Sequence, residues 1–410
     1  MNRILGVFHN RNISYLWSGQ LISSAGDSIT HMAVIWLMLE LTGSSALTGF
    51  IAFAATAPAL IFGLFSGVLA DHYRRRTLML ISDLARLLLI LLIPIATITG
   101  FLSPWSLALI VFLTASFATL FNPSRDALIP ELVQPQELLQ VNAMMQSTSY
   151  LAYFVGLFGA GMLLGVFGII NLFFIDALTF AVSFLFILKI SYPRAQVRSS
   201  NYKARHLSEL KRGLNYVWKE DRRLFWIILI TALNNFFIMG PAVVGTPLLI
   251  KDVWNGSGQD FAFVESSYGV GMLLATLVVY RFAARYKKGT WLMLGLIYDG
   301  LSFIPLFWVG KIGFDPFWLS VIIIFIHSLG IPFIQVTRTS LIHSVVPGNM
   351  QGRVFSMVNL AVVGMMSISV AVTGIVAEWV SPGTIFLIIG IGAAISGFIG
   401  LSMRSIREAD

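Results

Sequence analysis

Cysteine is absent from the chain, which rules out a disulfide framework and any thiol-based metal or redox chemistry. Charge is scarce as well. Asp, Glu, Lys and Arg make up 11% of residues, against about 25% in an ordinary soluble domain. The six histidines are scattered, with no HxxxH or HExxH pair to place two zinc ligands on one helix face. No GxxxxGK[ST] phosphate loop occurs, so ATP is not the expected driver. No nucleophile–base pair stands out among the dispersed polar residues. These absences argue against an enzyme and against a cofactor or metal. Met1 to Asn12 has no apolar core of the kind a cleavable signal needs, so none is expected.

What fills the chain instead is hydrocarbon. Hydrophobic residues make up 57% of it, and the mean hydropathy is +0.83. A soluble fold of this length could not hide that much apolar surface, whereas a protein in lipid can present it outward. A hydrocarbon layer roughly 30 Å thick needs about 20 apolar residues per helix. Such stretches fall at 14–40, 46–70, 77–99, 104–122, 138–165, 169–190, 224–250, 261–283, 290–309, 316–337, 352–378 and 383–403. The expected fold is therefore all-α, with twelve transmembrane helices in two six-helix bundles, 1–190 and 224–410. The polar stretch 191–223 is read as a cytoplasmic linker with an amphipathic helix near His206–Lys219.

The net charge of +8 could suggest a nucleic-acid partner, but its placement argues otherwise. With both termini in the cytoplasm, only Lys251 and Lys311 fall in external loops and Arg86 falls inside the third span. All other Lys and Arg are then cytoplasmic, as the positive-inside rule requires. The expected location is thus a membrane crossed many times, with the lipid bilayer as a partner and no nucleic acid.

The halves echo each other. Asn122-Pro-Ser-Arg125-Asp-Ala-Leu128-Ile129 follows the fourth span, and Gln335-Val-Thr-Arg338-Thr-Ser-Leu341-Ile342 follows the tenth. Both sit at equivalent topological positions, the mark of a duplicated bundle around a midplane site.

Gly67-Val-Leu69-Ala-Asp71-His-Tyr-Arg74-Arg75-Arg76, between the second and third spans, resembles the signature loop of the major facilitator superfamily, with His72 and Arg74 departing from it. Leu16-Trp-Ser-Gly-Gln20, Gly26-Asp27, Leu41-Thr-Gly-Ser44, Phe121-Asn-Pro123, Phe174-Ile-Asp176 and Leu210-Lys-Arg-Gly213 resemble the branch of that superfamily holding macrolide efflux pumps and the enterobactin exporter. The resemblance implies a major facilitator fold, a monomer, and a cavity lined by helices 1, 4, 7 and 10. Two features depart from proton-coupled relatives. The fourth span has no embedded Arg, and Gly156-Leu-Phe-Gly159-Ala-Gly161 lacks the Pro of the antiporter motif it resembles.

Charge inside a bilayer costs at least ~2.5–3.5 kcal/mol per group, so each such residue needs a reason. Gln20, Ser24, Asp27 and His31 lie at helical spacing and form one polar stripe. Asp27, His31 and Glu265 are the candidates for proton coupling. Gln20, Ser24, Asn234, Asn235 and His327 are candidates for the substrate cavity. Asp83 and Arg86, one turn apart, suggest an intrahelical ion pair or partners of the Asp71 loop, while Asp176 and Asp299 suggest structural pairing. Asp71, Arg74, Arg75, Arg76, Arg125, Asp126, Glu131, Arg338 and Arg353 are expected to form a cytoplasmic gate. The expected function is proton-gradient-driven export of an amphipathic small molecule by alternating access. A lipid flippase on the same fold and a non-transporting membrane sensor are the alternatives.

Overall fold

The computed structural model describes residues 10–191, 215–282 and 287–410. Twelve helices among them are long and apolar enough to cross a membrane. They are α1 (Arg11–Thr42), α2 (Ser45–His72), α3 (Arg75–Ile98), α4 (Pro104–Leu132), α5 (Leu138–Phe167) and α6 (Ile169–Lys189). The second set is α7 (Arg222–Val253), α8 (Gly258–Phe282), α9 (Lys288–Trp308), α10 (Pro316–Val345), α11 (Gly348–Val376) and α12 (Pro382–Ser402), followed by a short α13 (Arg404–Arg407). Of the predicted linker, 192–214 lies outside the described residues, as does most of the amphipathic helix expected near His206–Lys219.

Local chemistry sets the helix ends. Asn10 caps α1 by accepting from the N–H groups of Asn12 and Ile13, and Gly43 ends it in the left-handed region at φ 63°, where a Cβ would be strained. Ser103 and Ser106 form a reciprocal capping box ahead of α4, with Pro104 in its first turn. Asp221 and Asp315 cap α7 and α10.

Two helices run further than the apolar pattern predicts. α4 continues through Pro123 and Pro130 to Leu132, and α10 continues to Val345 after an irregular step at Leu329–Gly330. Apolar runs report the hydrocarbon layer, whereas the backbone hydrogen-bond ladder continues into water. Arg125, Asp126, Glu131 and Arg338 therefore stand on helices rather than in loops. α7 carries π-type turns at Pro241–Gly245 and Leu249–Val253.

Burial is inverted relative to a soluble protein. Val166 on α5 is 76% exposed and Leu277 on α8 75%, while Asp83 and Asp176 are fully buried. That is the pattern of a helical wall facing lipid around a polar interior.

Contacts divide the chain into two units: Met1–Gly43 with Ala54–Ser200, and Ser44–Phe53 with Asn201–Asp410. Within the first, α1 packs on α5 and α6, and α3 packs on α4 and α6. Within the second, α7 packs on α11 and α12, and α9 on α10 and α12. Each of these four pairings in one unit has its counterpart in the other, so the duplication seen in the sequence is also a duplication of packing. The first turns of α2 belong to the second unit, where Gly49 and Gly374 meet backbone to backbone. A Cβ built on Gly374 would lie 2.6 Å from the Cα of Gly49.

Candidate functional site

Among the described residues, each unit holds a buried polar centre at the crossing of its helices. In the first, Gly26 of α1 makes the crossing possible, since a Cβ there would lie 2.2 Å from both Asp176 Oδ1 and Thr179 Oγ1 of α6. This close approach lets Thr30 donate to Asp176 Oδ2 at 2.5 Å, while Thr179 donates to Oδ1 at 3.0 Å. Arg86 enters from α3, its side chain 6% exposed. Its guanidinium donates to Asp27 Oδ1 and lies 4.1 Å above the ring of Phe180.

The sequence suggested an Asp83–Arg86 pair or partners in the Asp71 loop, and the structure pairs Arg86 with Asp27. Helical spacing places Asp83 beside Arg86, but the guanidinium reaches across to α1. Asp83 is left fully buried with no hydrogen bond to either oxygen among the described residues. Three carboxyl groups thus surround one guanidinium, which can neutralise only one carboxylate. The Asp27 side chain is 44% exposed, the one acid of the three open to small molecules. His31, one turn along α1, lies within the field of Asp27.

In the second unit, Asn234 of α7 donates to Asp299 Oδ2 at 2.6 Å. His327 of α10 brings Nε2 within 3.5 Å of Asp299 Oδ1 and Nδ1 within 2.9 Å of Ser302 Oγ. Asn234 and His327, expected in the cavity wall, are thus committed to Asp299. Asn235 donates to the Thr231 carbonyl of its own helix. Glu265 is buried on α8, one turn before Tyr268. Gln20 is buried on α1, and Ser24 is half-buried there.

The residues expected at the gate are only partly brought together. Arg75 pairs with Glu131, joining α3 to α4. Arg76 donates to the carbonyls of Ile187 and Leu188 at the end of α6, where a cation complements the helix terminus. Arg125 pairs with its neighbour Asp126 at 2.7 Å. Arg74 is exposed, Arg338 is half-buried on α10, and Arg353 lies beside Met350. The side chain of Asp71 lies outside the described residues.

One site had no sequence signal singled out for it. Glu378, just past α11, accepts from the Ala46 N–H at 2.9 Å and from the Ser44 and Ser45 hydroxyls at 2.9 and 3.0 Å. It caps the first turn of α2 from outside its own helix. These bonds, the Ala46 N–H first, hold its carboxyl below the usual glutamate range. The Ser44-Ser45 start of α2 was readable as a helix N-terminus; its distant acidic partner was not.

Twelve membrane-crossing helices, built as two copies of one packing scheme around buried charge, define a polytopic membrane transporter. The family model of the Major Facilitator Superfamily matches residues 16–369, and the chain belongs to that superfamily. Macrolide efflux protein A of Streptococcus pyogenes is 25% identical over 398 residues, covering 96% of each chain. Multidrug efflux pump Tap of Mycolicibacterium fortuitum is 24% identical over 405 residues, covering 95% of each. The same fold is seen in the nucleoside transporter NupG, with a TM-score of 0.77 at 13% identity over 95% of this chain and 98% of that one. A bacterial homologue of the iron transporter ferroportin, in an inward-facing state, gives a TM-score of 0.75 at 15% identity over 96% and 99%.

Proposed function

We propose that this chain is a proton-coupled exporter of amphipathic small molecules in a bacterial inner membrane, working as a monomer with both termini cytoplasmic. The halves 1–190 and 224–410, joined by 191–223, alternate access to a midplane cavity. The efflux pumps among its relatives support the direction of transport. The observation that carries the coupling is the Asp27–Arg86 pair, a half-exposed carboxylate held by a buried cation.

In this reading a proton and Arg86 compete for Asp27. Protonation of Asp27 removes the partner of Arg86, and deprotonation restores it, so the α1–α3 contact has two discrete states. A cationic amphiphile docking at Asp27 competes in the same way, which makes substrate and proton mutually exclusive there. His31 tunes this exchange, and Glu265 carries protons in the second half. Gln20, Ser24, Asn234, Asn235 and His327 contribute to the cavity wall. Asp71, Arg74, Arg75, Arg76, Arg125, Asp126, Glu131, Arg338 and Arg353 form the cytoplasmic gate.

The test is a proteoliposome assay with ethidium and an internal pH dye under an imposed proton gradient. Gradient-driven ethidium movement with matching proton flux is expected in the unaltered chain. Asp27→Asn is expected to abolish gradient-driven movement while ethidium counterflow persists. Full gradient-driven transport by Asp27→Asn would remove Asp27 from the coupling role.

A further inference from the structure

The Asp299–His327 centre of the second unit lies outside the coupling scheme above, and its hydrogen bonds have an unusual property. Ser302 Oγ lies 2.9 Å from His327 Nδ1 and 3.0 Å from the Asp299 carbonyl oxygen. A hydroxyl has one proton to give and can accept another. If Ser302 donates to the Asp299 carbonyl, it must accept from an Nδ1–H. His327 Nε2 and Asp299 Oδ1 then hold one further proton between them, as imidazolium–carboxylate or imidazole–carboxylic acid. If Ser302 instead turns to donate to a bare Nδ1, the imidazole keeps its single proton on Nε2, facing an ionised Asp299. The two arrangements differ by one proton and one hydroxyl rotation. Asn234 donates to Asp299 Oδ2 in both, so the second carboxyl oxygen keeps its partner in either state.

We propose that the Asp299–His327 pair is a proton-binding site that loads and unloads one proton, with the Ser302 hydroxyl as its two-position switch. Loading forms one N–H or O–H bond to a proton delivered from water and releases it by the same route; nothing is oxidised or reduced. The surroundings suit such a site. His327 is 1% exposed, with the Phe303 ring perpendicular at 3.9 Å and the Tyr268 ring perpendicular at 5.7 Å. From α8, the Tyr268 hydroxyl lies within the fields of both Asp299 and Glu265. Tyr298 precedes Asp299 on α9, and its hydroxyl donates to the Ile326 carbonyl of α10. α7 brings the neutral Asn234, and α12 has no ionisable side chain. The Tyr268 hydroxyl itself is buried and has no hydrogen-bond partner among the described residues, which leaves it available as a stepping stone between Glu265 and Asp299.

The spacing that relates Arg125 to Arg338 in the internal repeat also relates Arg86 to Asp299. The two halves therefore carry ionisable groups of opposite sign at one equivalent position on helices of equivalent packing.

The proposal needs proton uptake but no transport, so it is tested first by infrared titration of the purified chain in phosphatidylglycerol-containing vesicles. The expected result is an imidazole ring band and a carboxyl band that change together over one pH interval. Asp299→Asn is expected to remove the carboxyl component and His327→Gln the ring component. Ser302→Ala, which leaves both titrating groups in place, is expected to displace the interval. Should the Asp299 variant fail to fold, the Ser302 variant and the wild-type bands still decide. Bands that do not move with pH, or that move identically in Ser302→Ala, overturn the proposal. Ethidium transport in the same vesicles separates this reading from the previous one. A titrating pair without gradient-driven ethidium movement supports this site and removes the exporter reading for that probe. Gradient-driven movement with a silent pair does the reverse.

Discussion

At the scale of single residues, the two buried centres differ in how completely they are satisfied. Arg86 is the only cation among Asp27, Asp83 and Asp176, and removing one partner of a buried charge cluster costs about 3–5 kcal/mol. Arg86→Ala is expected to lose stability of that order, read as a lower thermal midpoint in detergent, with Asp27→Asn in the same chain restoring part of it. Asp83 should behave differently. Among the described residues its oxygens lack a hydrogen bond of good geometry, and an ionised carboxyl in that position would be heavily penalised. A neutral isostere fits the same space, so Asp83→Asn is expected to change stability by about 1 kcal/mol or less. A large loss in that variant would mean that Asp83 works as an anion. The sequence showed that charge was buried on α1, α3 and α6, because charge within an apolar run needs no structure to be seen. It did not show which carboxylate Arg86 would choose. Spacing along one helix reveals only neighbours on that helix, and here the partner comes from another. Asn234, Asp299 and His327 pose the same problem across three helices.

At the scale of helices, close crossings depend on glycine only where another backbone or a polar side chain arrives. Gly26→Ala would drive a methyl group into Asp176 and Thr179, and overpacking of this kind typically costs 1–3 kcal/mol, roughly. Gly159→Ala meets nothing within 4 Å, and its higher helix propensity is worth up to about 1 kcal/mol. The two variants are therefore expected to move the thermal midpoint in opposite directions. Glu378 adds a pH dependence. Its folded-state pKa lies below the ordinary glutamate value, so its cap on α2 stabilises above the unfolded pKa and is lost as pH falls through the folded one. Glu378→Gln is expected to flatten the acid side of the stability–pH curve, below about pH 4.5, with its loss of stability largest at neutral pH, where the carboxylate cap is fully present, and smallest in acid. Helix positions were legible because apolar run length is set by the bilayer. The ends of α4 and α10 were not, because both helices continue past the hydrocarbon layer, carrying the expected gate residues with them.

At the scale of the whole molecule, the duplicated packing scheme explains why polar centres occur in pairs. α3 and α9 occupy the same place in their respective units, and each presents an ionisable group to the helices that cross it. The fold could be inferred from the sequence because a dozen apolar runs, a repeated Arg-centred motif and the signature loop all point the same way. Substrate chemistry is carried by side chains meeting from separate helices, and run length and periodicity do not record those meetings.

The contact of Gly49 with Gly374 has a consequence for speed. Two glycines touching through their backbones bring no rotamers to the meeting, so nothing must be reordered when they part and nothing searched when they return. Such a joint also has little adhesion of its own, since few atoms touch. It behaves as a dry bearing surface that sets how closely the helices stop, while Glu378, a turn away, supplies the grip.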